Sequence, residues 1–263
     1  MITAMEISVV IITYNEERRL EDALKSVAGV ASEIIVVDSH STDGTVKLAR
    51  RYTPHVFERD WMNYSDQKNF ADGKASFPWI FSLDADERVS AELKAELLEL
   101  KMRAGDFACA GFSIPRKVFY LGRWIKHSGW YPDRRVRLFR RERARWEGDY
   151  VHERLAVDGP IEKLKGPIHH FTYRNIADHL ERINKFSDLG AQKLYGQKKK
   201  CRWYHLVFLP PARFFRAYLL KLGFLDGFPG LVISMLTSYA VFVRYAKLRE
   251  IWKKGERIEP LSY

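Results

Sequence analysis

Short β-branched runs alternate with amphipathic stretches through the first hundred residues. Ile7-Ser8-Val9-Val10-Ile11-Ile12 and Ile34-Ile35-Val36-Val37 are too short for helices, and a helical pattern over about 16–27 lies between them. Strand, helix, strand at this spacing predicts a parallel crossover. Helical patterns at about 42–51 and 64–74, a third strand at 79–83 and a closing helix at 90–102 with Ser90 as its N-cap extend the alternation. Together they predict an open α/β sheet, whose sites lie beyond the carboxyl ends of its strands.

The pattern then changes. After Gly105 come short strands rich in aromatics and arginines, and from 203 onward apolar stretches punctuated by Pro210-Pro211 and Pro229-Gly230. The chain accordingly divides into 1–104, 105–194 and a helical tail over 195–263. The tail holds 17 successive uncharged residues, 227–243, at the short limit of about 17–25 for a spanning helix. Arg213, Arg216 and Lys221 punctuate the first apolar stretch, and Arg244, Lys247 and Arg249 follow the second. That suits amphipathic helices lying on an anionic leaflet, ahead of a true span. Helices docked on the body or on a second subunit are the third reading.

Composition narrows the class. With 263 residues, 46% hydrophobic and 29% charged, the chain can bury a sizeable core, which excludes disorder, collagen and a disulfide mini-protein. Cys109 and Cys201 form no metal or disulfide framework, and residues 1–10 lack a signal-peptide pattern, so a cytoplasmic setting is expected. The net charge of +11 is concentrated: 113–145 has 11 basic and 2 acidic residues and 195–263 has 13 and 4, which leaves a mildly acidic remainder.

The three strand ends are polar: Thr13-Tyr14-Asn15-Glu16, Asp38-Ser39 and Asp84-Ala85-Asp86-Glu87. Asp84 and Asp86, on alternate positions, can direct two carboxylates toward one hard cation, Mg²⁺ or Mn²⁺, on a diphosphate; the plainer reading is a turn with two solvated aspartates. Asp38 can accept from a base or ribose, while Ser41, Thr42 or Asp43 caps the helix that follows. The 113–145 block mixes Arg123, Arg134 and Arg137 with Trp124, Trp130 and Tyr131. Such a surface stacks on sugar rings and forks onto phosphates, as well as describing a nucleic-acid face.

Val9-Val10-Ile11-Ile12-Thr13-Tyr14-Asn15-Glu16-Glu17, Val37-Asp38-Ser39 with Ser41-Thr42-Asp43-Gly44-Thr45, and Leu83-Asp84-Ala85-Asp86-Glu87 together resemble the nucleotide-sugar half of a family 2 glycosyltransferase with the GT-A fold. The resemblance implies a Rossmann-like, mostly parallel sheet flanked by helices. It also implies an inverting transferase that uses a nucleoside-diphosphate sugar and Mg²⁺ or Mn²⁺. Thr13, Tyr14, Asn15 and Glu16 then border the nucleotide, Asp38 binds it, and Asp84, Ala85 and Asp86 form the acidic motif, with the second Asp closest to the metal. Lys68, in Gln67-Lys68-Asn69, is a candidate donor contact, with a surface helix lysine as the alternative.

Leu121-Gly122-Arg123-Trp124, Gly129-Trp130-Tyr131-Pro132-Asp133, Arg137-Leu138-Phe139, Val151-His152-Glu153 and His170-Phe171-Thr172-Tyr173 are similar to the subgroup of bacterial lipopolysaccharide inner-core glucosyltransferases. That resemblance implies acceptor contacts from Arg123, Trp124, Trp130, Tyr131 and Arg137. It puts the base at Glu153, with Asp149 as the other candidate, and adds His170 to the metal shell. The partners expected are a nucleoside-diphosphate sugar, a glycolipid or oligosaccharide acceptor and an anionic membrane surface, with no nucleic acid; self-association is left open. The expected place is the cytosolic face of the inner membrane, held peripherally. Transfer to a protein side chain and a polyanion-binding module on an inactive scaffold stand as alternatives. A nucleotidyltransferase would call for a Gly-rich loop after the first strand, which Thr13-Tyr14-Asn15-Glu16 is not.

Overall fold

The structure, a computed structural model, describes residues 5–103, 107–148 and 153–254. The chain forms two compact units, one from 1–117 and 133–170, the other from 118–132 and 171–263.

In the first unit β1 (Ile7–Thr13), α1 (Glu17–Ser26), β2 (Glu33–Asp38), α2 (Thr45–Ala49), β3 (Val56–Glu58), α3 (Tyr64–Gly73) and β4 (Trp79–Asp84) follow one another; β3, a short edge strand, is an addition to the expected alternation. β1 pairs in parallel with β2, Val10 opposite Ile35, and with β4, Val9 opposite Phe81. β1 is apolar on both faces because both are covered. Ile7, Val9 and Ile11 point into one layer with Leu20 and Leu24 of α1 and Leu93 and Leu97 of α4 (Ala91–Met102), whereas Val10 points into the other with Ile35, Ala71 of α3 and Trp146. Ser90 caps α4 by accepting the Leu93 N–H at 3.1 Å. α2 is shorter than the 42–51 pattern suggests. Its N-cap is Gly44, without a side-chain cap bond, and Asp43 instead takes the N–H groups of Thr45 and Glu17.

Beyond β4 the sheet becomes mixed. β5 (Glu87–Val89) lies at its edge, and β6 (Gly111–Tyr120) and β8 (Asp133–Arg140) enter antiparallel, Phe81 of β4 facing Leu138 of β8. The order is β3-β2-β1-β4-β8-β6-β12-β5, with β11 (Ile161–Lys163) beside β6 and β12 (Ile168–His170) antiparallel to β5. β9 (Ala144–Glu147) and β10 (Arg154–Val157) make a separate two-stranded ribbon. Because β6 and β8 complete the sheet of the first half, the compact units part at 117/118, 132/133 and 170/171, whereas the sequence pattern suggested 104/105 and 194/195.

In the second unit the end of β6 turns back onto β7 (Arg123–Trp124), and α5 (Ile176–Gly196), α6 (Trp203–Val207), α7 (Leu209–Phe215) and α8 (Gly227–Lys254) follow. The prolines start helices here: Pro210 and Pro211 occupy the first turn of α7, and Pro229 that of α8, where a missing N–H costs nothing. Leu248 and Ile251 of α8 pack on Ala191 of α5. Asp226, just before α8, accepts the backbone N–H groups of Lys126 (3.1 Å) and His127 (2.8 Å) and faces the His127 ring.

Candidate active site

Parallel strands end on one edge, and their last residues define the site. At the end of β1 the Thr13 hydroxyl donates to Asp38 Oδ2 at 2.8 Å. Asp38 is fully buried and also accepts the N–H and hydroxyl of Ser41. The expected capping loop is thus held by Asp38 itself. Asn15 takes a left-handed φ of 53°, which an Asx side chain tolerates, and its Oδ1 accepts the Thr42 N–H while its own N–H donates to Ser41. Glu16 donates its N–H to Thr45 and pairs with Arg19, and Tyr14 is exposed. These contacts fix a polar wall along the β1 and β2 ends.

The end of β4 gathers the charges. Asp84 Oδ2 accepts from Arg137 Nη2 at 2.6 Å, and Asp84 Oδ1 lies 3.3 Å from Lys68 Nζ. The same lysine donates to Glu153 Oε1 at 3.1 Å and stands over the Trp146 ring. Lys68 is 3% exposed, so the alternative of a surface lysine does not describe it. α3 places it there: Asn63 caps the helix by accepting the Asp66 N–H, Gln67 reaches Ser39, and Asn69 exchanges two bonds with the Trp146 backbone. Asp149 and His152 lie outside the described residues.

Asp86 Oδ2 faces His170 Nε2 at 3.3 Å and Arg19 at 3.9 Å. His170 arrives because β12 pairs with β5, His170 opposite Glu87. Ala85 between the two aspartates is buried in the core. Burial pushes the Asp84 carboxyl up, but Arg137 and Lys68 outweigh it and hold the group well below the usual carboxylate range. At Asp86 burial is likewise overcome, there chiefly by the His170 hydrogen bond, and its value is lowered.

Arg137 sits elsewhere than the acceptor surface suggested by the sequence. β8 carries it beside the carboxyl end of β4, where it is 4% exposed and its Nη2 also donates to Glu87 Oε1 at 2.8 Å. Burial lowers its affinity for the proton, and Asp84 and Glu87 more than restore it, so the guanidinium stays charged. Glu87 is fully buried, accepts the Asp84 N–H through its other oxygen and lies 3.6 Å from Arg116, which in turn binds Asp133. Sequence reasoning had Glu87 in view as a polar strand end, but its partners Arg116 and Arg137 lie far along the chain, in a block read for an acceptor rather than for this carboxylate. Asp72 was missed altogether: it accepts the Trp146 indole N–H at 3.0 Å, and burial pushes its carboxyl up to about 7 against that bond and Lys68.

Arg123, Trp124, Trp130 and Tyr131 belong to the second unit. Trp124 packs edge-on against Phe119 and Phe171, Trp130 stacks on Tyr173 beside Tyr120 and His179, and Arg123 is exposed. The aromatic set is therefore partly core. Among the described residues no three His, Cys, Asp or Glu side chains close into a metal cage. The Asp84 and Asp86 oxygens with the His170 imidazole nevertheless suit a divalent cation by donor type.

A family model described as Glycosyl transferase family 2 matches residues 8–157. The lipopolysaccharide core biosynthesis glycosyltransferase LpsC of Rhizobium meliloti (strain 1021) is 32% identical over 260 residues, covering 94% of this chain and 95% of that protein. The uncharacterized glycosyltransferase RT0209 of Rickettsia typhi is 30% identical, covering 96% and 90%. Among solved structures, the mannosyltransferase PcManGT from Pyrobaculum calidifontis, in complex with GDP-Man and Mn²⁺, superposes with a TM-score of 0.49 at 16% identity, covering 96% of this chain and 81% of that one.

Proposed function

Because the chain belongs to glycosyl transferase family 2, we propose that it moves a hexose such as glucose from a uridine-diphosphate sugar to a lipid-linked saccharide, with inversion at the anomeric carbon. The observation that carries this reading is the bridge made by Lys68 between Asp84, on the donor side, and Glu153, the proposed base. The acceptor hydroxyl attacks C1 as the bond from C1 to the diphosphate oxygen breaks. The hydroxyl proton passes to Glu153, and the electron pair of the broken bond leaves with the nucleoside diphosphate.

Thr13, Tyr14, Asn15, Glu16 and Asp38 shape the nucleotide wall, with Asp38 acting through the loop it holds. Lys68 offers its ammonium to the departing diphosphate, and Arg137 keeps Asp84 ionised and aimed. Asp86 with His170, and Asp84 beside them, would hold Mg²⁺ or Mn²⁺, which when bound neutralises charge on the leaving diphosphate. In the second unit Arg123, Trp124, Trp130 and Tyr131 offer rings and a fork to the acceptor sugars. The lipopolysaccharide core role of the LpsC relative supports an acceptor of that kind, met at the cytosolic face of a membrane.

The test is calorimetry and turnover with UDP-glucose in Mn²⁺. Asp86→Ala is expected to lose donor binding at least about tenfold. Glu153→Gln is expected to keep donor binding and lose about 10²- to 10⁴-fold in transfer. Unchanged turnover in Asp86→Ala sinks the metal role, and full transfer by Glu153→Gln sinks the base.

A further inference from the structure

Within the second unit, the described tail carries an apolar face that its own fold leaves open. Over 228–242 of α8 the exposed large apolar side chains are Phe228, Leu231, Met235, Tyr239 and Phe242. They recur every third or fourth residue, which places them on one side of the helix. The other side is built in. Ile233 and Ser234 are fully buried, Ser238 Oγ donates to Pro210 O, and Lys247 Nζ is held by Asp188 and Asn184. The turn before α8 continues the face: Leu220 is 78% exposed, and Leu219, Leu222, Phe224 and Leu225 are open as well.

Charge says what covers this face. Between residues 197 and 249 the chain has one acid, Asp226, and it is 1% exposed and bonded to Lys126 and His127. Arg202, Arg213, Arg216 and Lys221 are all exposed. Over 203–242 an apolar face with exposed cations and no exposed acid complements an anionic headgroup layer over acyl chains. Two copies meeting through the same face would set these cations against their like. A spanning helix, in turn, must offer apolar side chains all round or bury its polar ones in other spans. α8 has one side taken by α7 and by the turn before it, and a last turn docked on α5.

We infer that the 203–242 surface is a monotopic anchor that seats in one leaflet of an anionic membrane without crossing it, with Leu220 and Phe228 among the side chains that enter the acyl region. The inference rests on the membrane-surface part of the proposed function and is independent of the transfer chemistry.

The full chain is floated with vesicles of phosphatidylcholine alone or with phosphatidylglycerol added, at low and high salt. It is expected to float with the anionic vesicles, to be released more than tenfold by high salt, and to lose flotation more than tenfold in Leu220→Glu with Phe228→Glu. Trypsin added outside is expected to cut after Lys253 or Lys254. Flotation of the double variant equal to wild type overturns the inference, and so does protection of Lys253 and Lys254 inside vesicles, which would mark a crossing helix. Failure to bind vesicles together with a dimer that the double variant dissociates overturns it in favour of a second copy. UDP-glucose binding, read in parallel by calorimetry, separates the two proposals: its absence in wild type removes the donor reading and leaves the flotation result standing.

Discussion

Arg137 and Glu87 show what a charge count misses at the level of single side chains. A buried guanidinium is tolerated only when carboxylates neutralise it, and here Asp84 and Glu87 do so. Removing one partner strands the other. Arg137→Ala is expected to cost about 3–5 kcal/mol in a urea titration, and Arg137→Met combined with Glu87→Gln to recover most of it while donor binding stays impaired. Asp38, Asp84 and Asp86 were legible in the sequence because each follows an apolar strand whose end has to be polar. Arg137 was named only as an acceptor contact, because the excess of arginines in 113–145 says nothing about which one turns inward to Asp84 and Glu87. Lys68 stood in between: its motif made it a candidate, and only α3 packed against Trp146 distinguishes a buried ammonium from a solvated one.

Among the elements, β1, β2 and β4 could be read because parallel strands covered on both faces leave unmistakable apolar runs, whereas the three-residue β3 and β5 leave none. β6 and β8 showed only as short strands rich in aromatics and arginines, because Pro115, Arg116, Arg134, Arg135 and Arg137 interrupt the apolar pattern within them. α2 came out short because Asp43 satisfies Thr45 from outside the helix. At the start of α8 the decisive feature is close approach. A Cβ on Gly230 would lie 1.9 Å from the Gly223 carbonyl oxygen, so any side chain there pushes α8 off the turn that precedes it. Gly230→Ala is expected to destabilise the protein by about 1–3 kcal/mol, read as a lower urea midpoint, despite the higher helix propensity of alanine.

For the molecule as a whole, pH acts through groups buried against their preference. The Asp72 carboxyl, raised from 3.8 to about 7 by burial, holds a proton more tightly folded than unfolded. It therefore costs nothing at low pH, costs progressively more as pH rises through the interval between those values, and levels off above it. Asp72→Asn keeps the acceptor for Trp146 and removes the ionisation. Thermal melts are expected to show it stabilising by on the order of 3 kcal/mol at about pH 8 and by little at about pH 4. The overall charge, at first one number, now separates into buried struts of the site and the open cations of the tail. The tail in turn is not a detachable cassette. Asp226 closes on the backbone of Lys126 and His127, so a swapped tail without an acceptor at that place leaves two amide groups of the 118–132 segment bare. Viable chimaeras of this fold will inherit that segment and such an acceptor together.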